Sequence, residues 1–180
     1  RSYSVTGVQT CALPISSYVH AVKTPDLSAS FLGRPLRLPV LLAPITGTKT
    51  NMGDTIDEEI FLNDMVSGAL ASGSLAFVGD GASPLKYQLG IKAIANNQGA
   101  GIQIFKPRTS QTEIIKRLQA AEAAGALAVG LDIDAASFLT MKLKNQAVEP
   151  KSTAQLSELV NATALDRKST RLNSSHRIRY

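Results

Sequence analysis

The chain has 180 residues, of which 44% are hydrophobic and 18% charged, a composition that excludes disordered, collagen-like and disulfide-built proteins. Its formal net charge of +5 comes from the two ends, because residues 17–165 hold equal numbers of acidic and basic side chains. Since no basic patch alternates with aromatic residues, we predict no nucleic-acid partner. No apolar run reaches the roughly 18 residues of a membrane span, and we expect a cytoplasmic protein.

Both ends differ in pattern from the rest of the chain. Residues 1–16 show neither helical nor strand periodicity and lack the apolar run of a secretory signal. Residues 166–180 are polar and basic, without an apolar face. Both resemble translated sequencing-adapter sequence, so we interpret them as non-native segments that flank a domain over residues 17–165. The single cysteine, Cys11, lies in the first segment, and we therefore expect no thiolate and no metal site in the domain.

Four short apolar runs, bounded by glycine or proline, recur along the domain. Their hydrophobicity is continuous rather than alternating, which is typical of strands covered on both faces. The predicted strands span residues 39–45, 75–79, 101–105 and 128–134. Their starts are 36, 26 and 27 residues apart, which is the spacing of a repeated strand and helix.

Amphipathic patterns between and after these runs predict three helices. The first, residues 57–72, begins with three acidic residues, which suit the positive end of a helix. The second, residues 110–124, has Ser110 or Thr109 as its cap and Glu113 as capping-box partner. The third spans residues 153–161. The residues predicted to face the core are Ile60, Met65, Ala69 and Leu70 in the first helix, Ile114, Ile115, Leu118 and Ala121 in the second, and Leu156, Leu159 and Val160 in the third.

This order of elements predicts a parallel α/β fold, for which two architectures are open. A doubly wound sheet would normally carry a G-x-G-x-x-G turn after its first strand, and residues 44–53 lack one. Polar residues instead follow successive strands: Thr46, then Asp80, then Gln103 and Lys106, then Asp132 and Asp134. In a closed barrel these strand ends meet around one mouth, where active sites form. We therefore predict about four βα units, the N-terminal half of a TIM (β/α)8 barrel.

Six segments carry a resemblance to a known family. They are residues 25–28 (PDLS), 38–48 (LPVLLAPITGT), 51–53 (NMG), 79–82 (GDGA), 101–108 (GIQIFKPR) and 125–136 (GALAVGLDIDAA). In this order they resemble the FMN-dependent α-hydroxy-acid oxidising enzymes, which include lactate oxidase and glycolate oxidase, and in particular their bacterial branch. The resemblance implies an FMN-binding barrel that oxidises a small 2-hydroxy acid to a 2-oxo acid, in an enzyme that forms homo-oligomers, commonly tetramers.

The resemblance assigns FMN contacts to residues at the strand ends. The backbone of Pro44, Ile45 and Thr46 would lie against the flavin ring and bind its polar edge. A strand terminator is the alternative interpretation of the proline, because proline lacks an amide donor. Gly79 falls where a hydroxyl residue usually faces FMN, and the neighbouring Asp80 is a weaker candidate for that contact.

Two further FMN contacts are implied on the third and fourth strands. Gln103 stands inside an apolar strand, where an unpaired amide costs about 1–3 kcal/mol, so it needs a partner. The resemblance makes that partner the pyrimidine side of FMN, and a buried structural amide is the alternative. Asp132 and Asp134 alternate with apolar residues, which predicts both carboxylates on one face of the strand. Asp132 stands where the better-known oxidases have threonine, and it would accept a hydrogen bond from flavin N3–H.

The resemblance also points to substrate contacts, with less support. Phe105 stands where those oxidases have a substrate-binding tyrosine, and Lys106 is the candidate cation for the substrate carboxylate, with a solvated lysine as the alternative. The family's histidine base and substrate arginine lie beyond its fourth strand and have no match here, so no catalytic residue is assigned. We expect this chain to bind FMN weakly and to be inactive. A type 2 isopentenyl diphosphate isomerase-like flavin barrel and a non-catalytic α/β fragment remain as alternatives.

Overall fold

A computed structural model describes residues 24–165 except Pro84 and Phe138, so the predictions for residues 1–16 and 166–180 lie outside the described residues. The strands are β1 (Ala29–Phe31), β2 (Arg34–Leu36), β3 (Ala76–Val78), β4 (Gly101–Phe105) and β5 (Ala128–Leu131). The helices are α1 (Thr48–Asn51), α2 (Glu58–Ala71), α3 (Lys86–Asn96), α4 (Gln111–Ala123), α5 (Leu139–Leu143) and α6 (Thr153–Asn161), with a 3-10 helix at Ile133–Ser137.

The main sheet is parallel and has the strand order β3-β4-β5. Its register places Gln103 opposite both Val78 and Val129. The prediction of parallel strands adjacent in chain order is confirmed for these three. The described strands form an open α/β sheet consistent with part of a barrel, and no closed barrel is formed within the described residues.

The first predicted strand is mostly absent. Residues 39–45 join the sheet through a single parallel bridge between Leu42 and Ala76. Pro39 and Pro44 flank this bridge, and because proline has no amide hydrogen it cannot donate to a sheet ladder. The predicted strand over 39–45 is therefore wrong in extent, although its place beside β3 is right.

The fourth predicted strand ends three residues early. β5 stops at Leu131, and the chain turns into the 3-10 helix that begins at Ile133. The amide of Ala135 donates to the carbonyl of Asp132 at 3.2 Å, which closes this turn. The prediction that Asp132 and Asp134 share one face of a strand is therefore wrong, since Asp134 is exposed within the 3-10 helix.

Helices cover one face of the sheet and a hairpin lies against the other. The helix-facing core contains residues from the sheet and from α2, α3, α4 and α6: Leu62, Val66, Val78, Ile94, Phe105, Ile114, Leu118 and Leu159. The opposite face carries Leu75, Ile102 and Ala128, which pack with Leu36 of β2. The two cores follow from the alternation of side chains along each strand.

The prediction for α2 is correct in its bounds and partly wrong in its buried face. Asp57 caps the helix, because its carboxylate accepts hydrogen bonds from the two amides that follow Glu58. The buried residues are Leu62, Val66 and Ala69, which share one side of the helix at spacings of four and three. Ile60 is 55% exposed and Leu70 is 37% exposed, so of the residues predicted to be buried only Ala69 is.

The predictions for α4 and α6 agree better with the structure. Ser110 caps α4 by accepting from the amide of Glu113 at 3.3 Å, but the Glu113 carboxylate accepts from Arg117 and does not complete a capping box. α6 has the predicted bounds and a full capping box formed by Ser152 and Gln155. The buried residues include Ile114, Leu118 and Ala121 of α4 and Leu159 of α6, as predicted.

Candidate functional site

The carboxyl ends of the parallel strands lie along one edge of the sheet, which we call the strand-end edge. The loop of residues 43–48, which follows the Leu42 bridge, packs there against Gly79. A Cβ atom on Gly79 would lie 2.8 Å from the carbonyl oxygen of Pro44 and 2.9 Å from Cγ2 of Thr46. Only a residue without a side chain permits this approach, so Gly79 determines how closely the loop meets β3.

The outer side of this loop offers an apolar surface with a free donor beside it. Pro44 is exposed, and Ile45 is 49% exposed. Among the described residues, the Thr46 amide has no hydrogen-bond partner, while its carbonyl accepts from Asn51 Nδ2 at 2.7 Å. Such a surface suits a flat apolar ring that carries a hydrogen-bond acceptor at its rim. We call Pro44, Ile45 and Thr46 the ring surface.

Lys106 and Asp132 form an ion pair at the ends of β4 and β5. Lys106 Nζ donates to Asp132 Oδ2 at 2.5 Å, and the two side chains are 15% and 30% exposed. The backbone joins the same two strand ends, because the Asp132 amide donates to the carbonyl of Phe105 at 2.8 Å. The Lys106 ammonium group is thus largely covered and paired with a carboxylate, unlike the solvated lysine that was the alternative to a substrate contact.

Asp80, the weaker candidate for an FMN contact, is enclosed in the protein. Its side chain is 0% exposed and lies 3.1 Å from Arg117 Nη1 and 3.4 Å from Arg108 Nη2. It also accepts from the amides of Gly81 and Lys106, at 2.7 and 3.3 Å. With both oxygens occupied by buried donors, Asp80 joins the ends of β3 and β4 and has no surface left for a ligand.

The two arginines that hold Asp80 are buried, and the sequence analysis assigns no role to them. Arg117 Cζ also lies 4.2 Å from the ring centroid of Tyr87, and its guanidinium donates to Glu113. The sequence does contain a signal for the burial of Arg117, because this charged residue lies on the apolar face of α4, next to Leu118 and three residues after Ile114. A charge at such a position implies a buried acceptor.

Gln103 lies on the helix-facing side of β4 and is 0% exposed. Its Nε2 donates to the carbonyls of Val78 and Gly79 at 3.1 and 3.3 Å. A Cβ on Gly90 of α3 would be 2.6 Å from Gln103 Oε1, so the helix covers this side chain directly. These contacts satisfy only the donor half of the amide, because Oε1 is buried without a hydrogen-bond partner among the described residues. A contact with FMN stays a prediction and would require the side chain to leave this position.

Phe105 shares the helix-facing side with Gln103, as two residues of separation along a strand require. Its side chain is 0% exposed, and its ring centroid lies 6.2 Å from that of Tyr87. The Phe105 ring is therefore enclosed in the helix-facing core, and its contact with a substrate stays a prediction.

Within residues 24–83, 85–137 and 139–165, no helix is long and apolar enough to cross a membrane. In the same ranges, no three histidine, cysteine, aspartate or glutamate side chains gather in a way that could hold a metal ion.

The sequence matches the family described as FMN-dependent dehydrogenase over residues 13–178. No curated protein matches the chain. The ring surface is apolar and exposed, and among the described residues the Thr46 amide has no partner, so both features are compatible with the ring of the family's cofactor. The match covers most of the chain, which therefore belongs to the family of FMN-dependent dehydrogenases, oxidoreductases that use FMN.

Proposed function

We propose that the chain serves in the FMN-dependent oxidation of a small 2-hydroxy acid to the corresponding 2-oxo acid. Family membership supports the cofactor and the redox chemistry. The observation that carries the substrate class is Lys106, a partly buried cation at the edge of the sheet where the ring surface also lies. A fixed ammonium group is suited to a carboxylate, which every 2-hydroxy acid carries.

Five residues are proposed to hold the cofactor in addition to Gln103. The ring surface and Gly79 would lie against the flavin, with the Thr46 amide donating to its polar edge, and Asp132 would accept from flavin N3–H. When bound, FMN takes up the hydride equivalent that leaves the substrate carbon. Lys106 keeps the charge of Asp132 balanced, so this carboxylate adds no net negative charge beside the ring. The Lys106 ammonium group lies 2.5 Å from Asp132 Oδ2. The carboxylate of a substrate would join Asp132 at this cation or displace it.

The ring surface is tested by titrating the purified chain with riboflavin and with FMN and following flavin fluorescence. Because the proposed contacts are to the ring and not to the phosphate, we expect weak binding with similar affinities for the two. Gly79→Ala should weaken the binding of both flavins about tenfold. The added methyl group would push the loop of residues 43–48, and with it the ring surface, away from β3, and overpacking of this kind typically costs about 1–3 kcal/mol. Gly68→Ala is the control, because a Cβ there meets nothing within 4 Å. Equal binding by both variants would contradict the proposal.

The substrate class is tested by adding lactate, glycolate or mandelate to the flavin-loaded chain without oxygen. We expect a change in the flavin absorption spectrum without bleaching, because the chain has no match to the family's histidine base, a group that typically contributes 10²–10⁴-fold. Lys106→Met should abolish the change. Lys92→Met is the control, since Lys92 pairs with Glu59 on the surface. A response to propanol equal to that for lactate would refute carboxylate recognition, and bleaching would refute the expected inactivity.

A further inference from the structure

Glu58, the first residue of α2, reaches back to the loop that carries the ring surface. Its Oε1 accepts from the Gly47 amide at 2.6 Å, and its Oε2 accepts from the Thr48 amide at 2.9 Å and from Thr48 Oγ1 at 3.2 Å. Gly47 has a φ of 90°, in the left-handed region, and Thr48 is 2% exposed. One carboxylate thus holds the two consecutive amides that follow Thr46, in a backbone conformation that favours glycine.

Lys86 approaches the same carboxylate from α3. Its Nζ lies 3.5 Å from Glu58 Oε2, and the two side chains are only 20% and 14% exposed. A cation in the first turn of a helix is unfavourable toward the helix dipole, so α3 itself does not explain this lysine. A Cβ on Gly81 would be 2.6 Å from Lys86 Cδ, which shows that the lysine passes directly over the backbone after β3. The ion pair with Glu58 accounts for the position of the Lys86 side chain.

We infer that Glu58 is a positioning residue for the flavin ring, a role that rests on the proposed function. It acts through the amides of Gly47 and Thr48, which fix the peptides on both sides of Gly47 and therefore the position of Thr46, whose own amide lies one peptide earlier. Asn51 holds the Thr46–Gly47 peptide from its other end by donating to the Thr46 carbonyl. The cofactor-facing donor is thus held by side chains that do not themselves touch the cofactor.

The test compares Glu58→Gln with Glu59→Gln. The substitution at 58 keeps the side-chain shape but loses one of the two acceptors and the ion pair. Glu59 is the matched control, because it is the next residue of the same helix turn and pairs with Lys92 on the surface. Hydrogen exchange without flavin should show lost protection at Gly47 and Thr48 in Glu58→Gln alone, with the amides of β3 and β4 still protected. Riboflavin affinity should fall about tenfold, the effect of losing one charge-assisted hydrogen bond.

The two readouts separate the inference from the proposed function. If exchange at the loop is unchanged in Glu58→Gln, or if the loop loosens while riboflavin affinity stays that of the native chain, the inference is overturned. If the native chain binds no flavin, the proposed function fails, and the exchange measurement alone decides whether Glu58 holds the loop. Lys86→Met provides a second variant in case Glu58→Gln fails to fold, and it should weaken flavin binding in the same direction because Glu58 loses its only ion-pair partner among the described residues.

Discussion

At the scale of single residues, the buried charges around Asp80 depend on one carboxylate. Asp80, Arg108 and Arg117 have side chains that are 0%, 3% and 5% exposed, whereas Glu113, the second acid in the cluster, is 45% exposed. Within the described part of the chain, the Nε atoms of both arginines are buried without a hydrogen-bond partner. Two enclosed cations therefore share a single enclosed anion, and removing that anion would leave them with only the half-exposed Glu113 as a counter-charge.

We expect Asp80→Asn to destabilise the protein by about 3–5 kcal/mol, the usual effect of breaking a buried ion pair by neutralising one partner. The control is Asp54→Asn, because Asp54 pairs with Lys49 at 4.0 Å with both side chains mostly exposed. Exposed pairs of this kind contribute at most about 1 kcal/mol. Urea denaturation of the two variants gives the comparison. Equal midpoints would show that the Asp80 cluster contributes no more than a surface pair.

At the scale of secondary-structure elements, sequence reasoning succeeded where a local signal and the tertiary contacts agree. β4 was predicted at its observed bounds, because an apolar run follows a glycine and is buried on both faces. α6 was predicted at its observed bounds from its apolar residues, and a capping box of Ser152 and Gln155 forms its start. The order of β3, β4 and β5 followed from the barrel prediction, which used the strand spacing together with the polar residues at the strand ends.

Elements without such signals were missed. α3 begins at Lys86 without a side-chain cap and contains Gly90, so neither its start nor its interior looks helical. The hairpin of β1 and β2 turns at Leu32 and Gly33, both with positive φ. Leucine rarely adopts that conformation, so the turn had no recognisable residue pattern.

The site shows the same division between local and tertiary information. The ring surface and Gly79 do lie together, because parallel strands bring their ends to one edge. The direction of the Gln103 side chain was not predictable from its strand, because both faces of β4 are buried. The alternation of side chains along the strand does not say which of the two faces is covered by the helices. The contacts of Glu58 join residues ten and eleven positions apart, beyond any capping pattern.

Asp57→Ala should destabilise the protein by about 0.5–2 kcal/mol, because the Asp57 carboxylate accepts from the amides of Glu59 and Ile60 at the start of α2. Asp64→Ala serves as the control, since Asp64 is exposed within the same helix. Thermal unfolding followed by circular dichroism measures both. A loss of stability in the control as large as that in Asp57→Ala would argue against capping as the cause.

At the scale of the whole molecule, the two hydrophobic clusters together draw on residues from 29 to 165 of the described part of the chain. The family match over residues 13–178 extends into both ends of the chain, and their interpretation as non-native segments stays a prediction. Its basis is that neither end has an apolar face to bury.

Deleting residues 1–16 and 167–180 is therefore expected to change the free energy of unfolding by no more than about 0.5 kcal/mol, the range of surface changes. Urea denaturation of the shortened chain checks this. As a positive control, truncation after residue 152 removes α6 with the buried Leu159 and should destabilise the protein clearly. A shortened chain less stable than the whole by several kcal/mol would show that an end packs on the domain.

The order of the main sheet also has a consequence for how the molecule is made. Its strands begin at residues 76, 101 and 128, and β4 and β5 each pair with the strand that precedes them in the chain. A ribosome adds about 5–20 residues per second, so the roughly 25 residues of one unit take about 1–5 s, whereas a helix forms within about a microsecond. The strand order therefore allows each of these strands to dock on a finished neighbour before the next unit leaves the ribosome, so that the sheet can grow sideways during translation.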